Sequence, residues 1–153
     1  MMDWHHLSEI FVKIFLSVLL SGLIGIEREY RQKIAGIKTH ILVGVGSTLV
    51  VLTSLHLFEV YQARTVVDPT RMIAGIIQGI GFLCAGTIIR AGSNVIGLTT
   101  AATLWIVSGI GIAVGAGDYV SAVAVSIVCV LTLTLVRYLE GHVNERANSK
   151  KLL

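Results

Sequence analysis

Five apolar runs, each close to the length that crosses a bilayer, constrain this sequence more than any other feature. They cover about residues 10–26, 39–58, 72–89, 95–116 and 119–136. A hydrocarbon core ~30 Å thick takes roughly 20 such residues per helix. The connections between runs are short, so residues 1–140 read as one membrane domain and 141–153 as a short polar tail. Composition agrees: of 153 residues 54% are hydrophobic and 14% charged, where a soluble domain carries roughly a quarter charged residues. The expected fold is an all-α integral membrane bundle of about five transmembrane helices.

Lys and Arg in the loops give its direction. Arg28, Arg31, Lys33 and Lys38 follow the first run, Arg64 and Arg71 the second, and Arg90 the third. None follows the fourth, and Arg137, Arg146, Lys150 and Lys151 occupy the tail. Alternate loops therefore carry nine basic residues against two, and the richer side is cytoplasmic. Five spans then put the N-terminus outside and the C-terminus inside. Lys13, within the first run, can snorkel to the outer surface. The segment before that run holds Asp3 and Glu9 and no Lys or Arg, unlike the basic start of a cleavable signal peptide.

Helices in lipid associate through small residues and hydrogen bonds. Small pairs four apart recur at Ser17/Ser21, Gly75/Gly79 and Gly111/Gly115. In the third run Gly75, Gly79, Phe82 and Gly86 follow one stripe with Gln78 beside it, which makes the third helix the expected packing centre. Asp68-Pro69-Thr70 reads as a helix start with Asp68 as cap, and Arg71 as its local ion pair. Asp118, after the turn at Gly117, reads as the cap of the fifth helix. Gly25 and Gly36 lie 11 apart, as do Gly86 and Gly97. That spacing fits either two parallel hairpin units or coincidence in a chain with sixteen glycines.

The polar residues sort to the helix ends. Glu27-Arg28-Glu29 closes the first run, with Lys38, Thr39 and His40 opening the second. Arg90, Asn94, Thr99 and Thr100 flank the third turn. All ten fall on the cytoplasmic side, where a convergent network of ion pairs would hold helix ends in register. No Asp or Glu lies in the middle of a run, and hard divalent cations need oxygen ligands, carboxylates above all. Gln78 is the one long polar side chain at depth that could line a path. Cys84 and Cys129 sit in apolar runs without metal-ligand spacing. No Ser/His/Asp arrangement, HExxH or phosphate-cradling loop is present. Nor is there a basic stripe with interleaved aromatics. No enzyme, cofactor, metal centre or nucleic-acid partner is expected.

Several stretches together resemble the membrane domain of the MgtC/SapB family. They are Gly25 to Glu29, Gly36 to His40, Asp68 to Arg71, Gly79-Ile80-Gly81-Phe82-Leu83-Cys84-Ala85-Gly86, and Gly97-Leu98-Thr99-Thr100-Ala101-Ala102-Thr103-Leu104-Trp105. Lys38 stands where the family commonly has Arg, which removes a bidentate clamp, and Cys84 where it commonly has Gly. Many members carry a soluble C-terminal domain beyond the point where this sequence stops. The resemblance implies a bacterial inner-membrane protein of adaptation to low magnesium, acid or intracellular stress. It implies a regulator acting through membrane partners more than a transporter. The reading is therefore a non-enzymatic regulator that forms a homo-oligomer, a dimer first, and meets other inner-membrane proteins. The alternative is a transporter or channel for magnesium or protons.

Overall fold

The computed structural model describes residues 4–66 and 68–136; the tail at 141–153 lies outside them. Its helices are α1 (Trp4–Tyr30), α2 (Ile37–Tyr61), α3 (Thr70–Thr87), α4 (Leu98–Ala116) and α5 (Tyr119–Leu131), the last continuing as a π-helical turn over Thr132–Val136. All five, α5 with its extension, are long and apolar enough to cross a membrane. The chain is a multi-pass α-helical membrane protein. The Thr132 and Thr134 hydroxyls donate to the carbonyls of Val128 and Val130, each at 2.8 Å, the back-bonding that loosens a helix where the π turn sits.

One element is not helical. Between α3 and α4 the chain forms a β-hairpin, β1 (Ile89–Ala91) against β2 (Asn94–Ile96), with Arg90 opposite Val95. The apolar runs predict a third helix to 89 and a fourth from 95; the structure ends and begins them at Thr87 and Leu98. Ile88-Ile89 and Val95-Ile96 are apolar enough to prolong helices, yet β-branched and set around Gly92-Ser93 they suit a hairpin better. Gly97 then opens α4 at φ +91°, and a Cβ there would overlap the Thr87 carbonyl. Only glycine fits that corner.

The centre of the bundle is α4, not α3. Its buried face runs through Thr100, Thr103, Leu104, Val107, Gly111 and Val114, and it packs against each of the other four helices. By contrast α3 buries only Ile80 fully. A Cβ added at Gly75, Gly79 or Gly86 would meet nothing within 4 Å, and Phe82 is 84% exposed. The glycines expected to be pressed by neighbours are bare among the described residues. Those of α4 are the ones in contact: a Cβ at Gly111 would overlap the Gly44 carbonyl of α2, and one at Gly115 would come 2.7 Å from Val51 Cβ.

Gly111→Ala should therefore lower unfolding stability in detergent by about 1–3 kcal/mol through overpacking. Gly75→Ala should leave it unchanged or raise it by up to about 1 kcal/mol through helix propensity. Denaturant titration followed by circular dichroism checks both.

Candidate functional site

The interior of this protein is unusually polar for a membrane bundle. Along one face of α1 lie Lys13, Ser17, Ser21, Ile24 and Arg28, spaced four, four, three and four residues apart, all buried. Facing them, α2 buries His40, Gly44, Ser47, Thr48, Val51 and Ser54. Thr100, Thr103 and Ser108 of α4 complete a seam between the three helices. Long apolar side chains such as Phe11, Phe15, Leu19 and Leu23 point outward. With lipid as apolar as leucine, burying them gains little, whereas buried hydroxyls gain partners.

Two hydrogen bonds tie α2 to α4. Thr48 Oγ1 donates to the carbonyls of Gly44 at 3.1 Å and Gly111 at 2.9 Å. His40 Nε2 lies 3.1 Å from Thr103 Oγ1, and His40 Nδ1 lies 2.8 Å from the Gly36 carbonyl. Since Gly36 O can only accept, Nδ1 carries a proton. Both cross-helix pairs are 63 residues apart, so α2 and α4 run parallel. Ser17 Oγ and Ser21 Oγ, both fully buried against Gly44, have no hydrogen-bond partner among the described residues. At one end of the seam Lys13 Nζ reaches back 2.8 Å to Glu9 Oε1, one turn nearer the N-terminus, as a snorkelling lysine does.

At the other end the Glu27-Arg28-Glu29 cluster divides its work. Buried Arg28 pairs with Glu27, and Arg31 lies 3.5 Å from the other Glu27 oxygen. Glu29 turns away from both. Its Oε2 accepts from the backbone N–H of Ile37 at 3.0 Å, so a carboxylate from the end of α1 caps the start of α2, where the helix dipole favours an anion. Gly36 leaves room for it, since a Cβ there would overlap Glu29 Oε2. Gly25 lets the two helices close, with a Cβ there only 2.7 Å from Ile37 Cα.

The ten residues expected to converge thus separate. Glu27, Arg28, Glu29 and His40 join the α1–α2–α4 junction, and buried Thr100 adds its carbonyl, which accepts from Thr103 Oγ1 at 2.9 Å. Lys38 and Thr39 turn instead to a cleft between α2 and α3, and Thr99 to a cavity between α4 and α5. Arg90 donates to Gly92 O at 3.2 Å within its own hairpin, and Asn94 pairs with Ala91 in β2. The reason is rotation: ~100° per residue sends Thr39 and His40, or Thr99 and Thr100, to different faces. Gly86 and Gly97 do not mirror Gly25 and Gly36, since Gly86 has open space around it.

Outside the seam, Asp68 Oδ1 accepts from Thr70 N at 2.9 Å and Thr70 Oγ1 at 2.6 Å. These bonds hold its carboxyl below the usual range. Arg71 meets Asp68 through the backbone carbonyl at 3.3 Å, and its charge adds to the lowering of the Asp68 carboxyl, but among the described residues no salt bridge joins the two side chains. Asp118 caps α5 by accepting from Ser121 N at 3.1 Å, and the Ser121 hydroxyl together with this backbone bond holds its carboxyl below the usual range. Gln78 is exposed on α3, away from the polar seam. Trp105 is half-exposed beside α5. Among the described residues no three His, Cys, Asp or Glu side chains come together as a metal site.

The Glu29 cap carries a direct test. Glu29→Ala should cost about 0.5–2 kcal/mol, the range for losing a helix cap, and speed hydrogen exchange at the Ile37 amide. Glu29→Gln, which keeps an acceptor oxygen, should recover part of both.

The MgtC family profile matches residues 14–142. Over 128 residues the chain is 38% identical to the putative magnesium transporter YhiD of Escherichia coli K12, covering 82% of this chain and 60% of that protein. It is 39% identical over 134 residues to MgtC of Salmonella typhimurium LT2, covering 88% and 55%. With SapB of Bacillus subtilis 168 it shares 39% over 128 residues, covering 81% and 55%. The chain therefore spans little more than half the length of these relatives. No solved structure matches it.

Proposed function

Because the chain belongs to the MgtC family, we propose that it is a non-enzymatic regulator in a bacterial inner membrane, serving adaptation to low magnesium, acid or intracellular stress through membrane partners. The observation that carries this reading is the outward face of α3. Gly75, Gln78, Phe82 and Gly86 lie there exposed, with a polar amide at membrane depth and, among the described residues, no neighbour around the glycines. Small residues beside an amide suit a second helix better than lipid, since they let backbones approach and give the amide a partner. A dimer through this face is the first expectation, with other inner-membrane proteins as further partners.

A photo-crosslinking side chain at Phe82 should capture a discrete partner in intact membranes, and the same probe at Ile127 of α5 should not. Capture of the same chain identifies the dimer, and another membrane protein identifies a regulatory target. Equal, diffuse labelling at both positions would contradict the reading. The loop charges support an outside N-terminus. Reporter fusions at residue 34 should read cytoplasm and at residue 65 outside; reversed signals would overturn that orientation.

A second reading, transport of magnesium or protons, is favoured by the two unpartnered hydroxyls of Ser17 and Ser21 between the ion pairs at either end of the seam. The name of the E. coli relative points the same way. It predicts magnesium or proton flux in proteoliposomes that Ser21→Val or Glu29→Ala removes. The regulator reading predicts no flux above that of empty liposomes.

A further inference from the structure

We propose that the cleft between α2 and α3 is a binding site for one anionic phospholipid, its acyl chain in the cleft and its phosphate on Lys38. The cleft has a volume of about 580 Å³. Its walls are apolar, with Leu42 and Val50 from α2 and Ile76 and Leu83 from α3. Gly46 and Gly79 line its depth, and a Cβ at either would meet nothing within 4 Å. In a bundle where small residues ordinarily bring backbones together, these two glycines leave room. An opening of this kind within a bilayer fills with whatever chain is beside it.

From Lys38 to Val50 the cleft follows about 18 Å of helix at ~1.5 Å per residue, and beyond its polar start the lining is almost wholly apolar, as an acyl chain requires. The charge then fixes the polar end. Lys38 and Thr39 sit together at the helix-start end of the cleft, and no carboxylate lines it among the described residues. Among the described residues Lys38 makes no ion pair. A cation in the first turn of a helix also opposes the helix dipole, so an anion seated at Lys38 relieves it. A basic residue at the mouth of a cleft between membrane helices is the arrangement that takes anionic headgroups. This inference stands whether the chain regulates or transports.

Native mass spectrometry of the full chain, released from micelles containing phosphatidylglycerol and phosphatidylethanolamine, tests it. The protein should retain one lipid and favour phosphatidylglycerol about fivefold, the ~1 kcal/mol that one interfacial lysine supplies. Lys38→Gln, a surface change, should erase that preference while a lipid is still retained. Filling the cleft with Gly46→Leu and Gly79→Leu should abolish retention of both lipids at unchanged helix content. Retention by the filled variant equal to that of the unmodified chain would overturn the proposal. So would loss of self-crosslinking on filling with lipid retention intact, which would assign the cleft to a second copy. Displacement of the lipid by free glycerol phosphate would reduce the site to a headgroup pocket and also refute it.

Discussion

The rest of this structure depends on how closely α2 and α4 approach. Where they cross, the Thr48 hydroxyl reaches the carbonyl of Gly111 on the other helix, and a Cβ on Gly111 would overlap the carbonyl of Gly44. Backbones meet this closely only where both helices present small residues, and the hydrogen bond is gained because lipid offers none. Eight residues earlier on each helix, His40 and Thr103 repeat the tie. Two parallel helices joined at two heights make a rigid pair. Onto it α1 lays its serines, α5 its Ala122–Ser126 face, and α3 little beyond Ile80.

The ends of the pair are set by charge. Glu29 caps α2 from across the first turn, and Arg28 with Glu27 closes that corner. The Arg28–Glu27 pair lies within α1 and adds little net energy, since desolvation offsets attraction; the link across to α2 is the Glu29 cap. The outward face of α3 and the cleft beside it remain uncommitted. A core of α1, α2 and α4, with α5 packed against it and α3 seated on α4 with its outer face bare, suits a protein whose partner, lipid or protein, docks at the side.

The five spans were legible because crossing a bilayer is a local demand on length and apolarity, and each run meets it alone. The caps at Asp68 and Asp118 were legible for the same reason. The centre was not, because it depends on which faces meet. The α4 stripe of Thr100, Thr103, Val107, Gly111 and Val114 is as regular as the glycine stripe of α3, but its hydroxyls gave no sign that they were partnered. Glycine in α3 marked space, not contact. The Glu27-Arg28-Glu29 cluster stood out in sequence, yet the role of Glu29 required knowing that α2 begins at Ile37. The hairpin was hidden because its β-branched residues are apolar enough to prolong the helices on either side.

The claim that polar ties between α2 and α4 hold the bundle is tested most directly by a double-mutant cycle. His40→Ala, Thr103→Val and the double variant would be compared in detergent by denaturant unfolding. A coupling energy of about 0.6–1.7 kcal/mol, the range such membrane hydrogen bonds reach, is the predicted result. Full additivity of the two changes would contradict it.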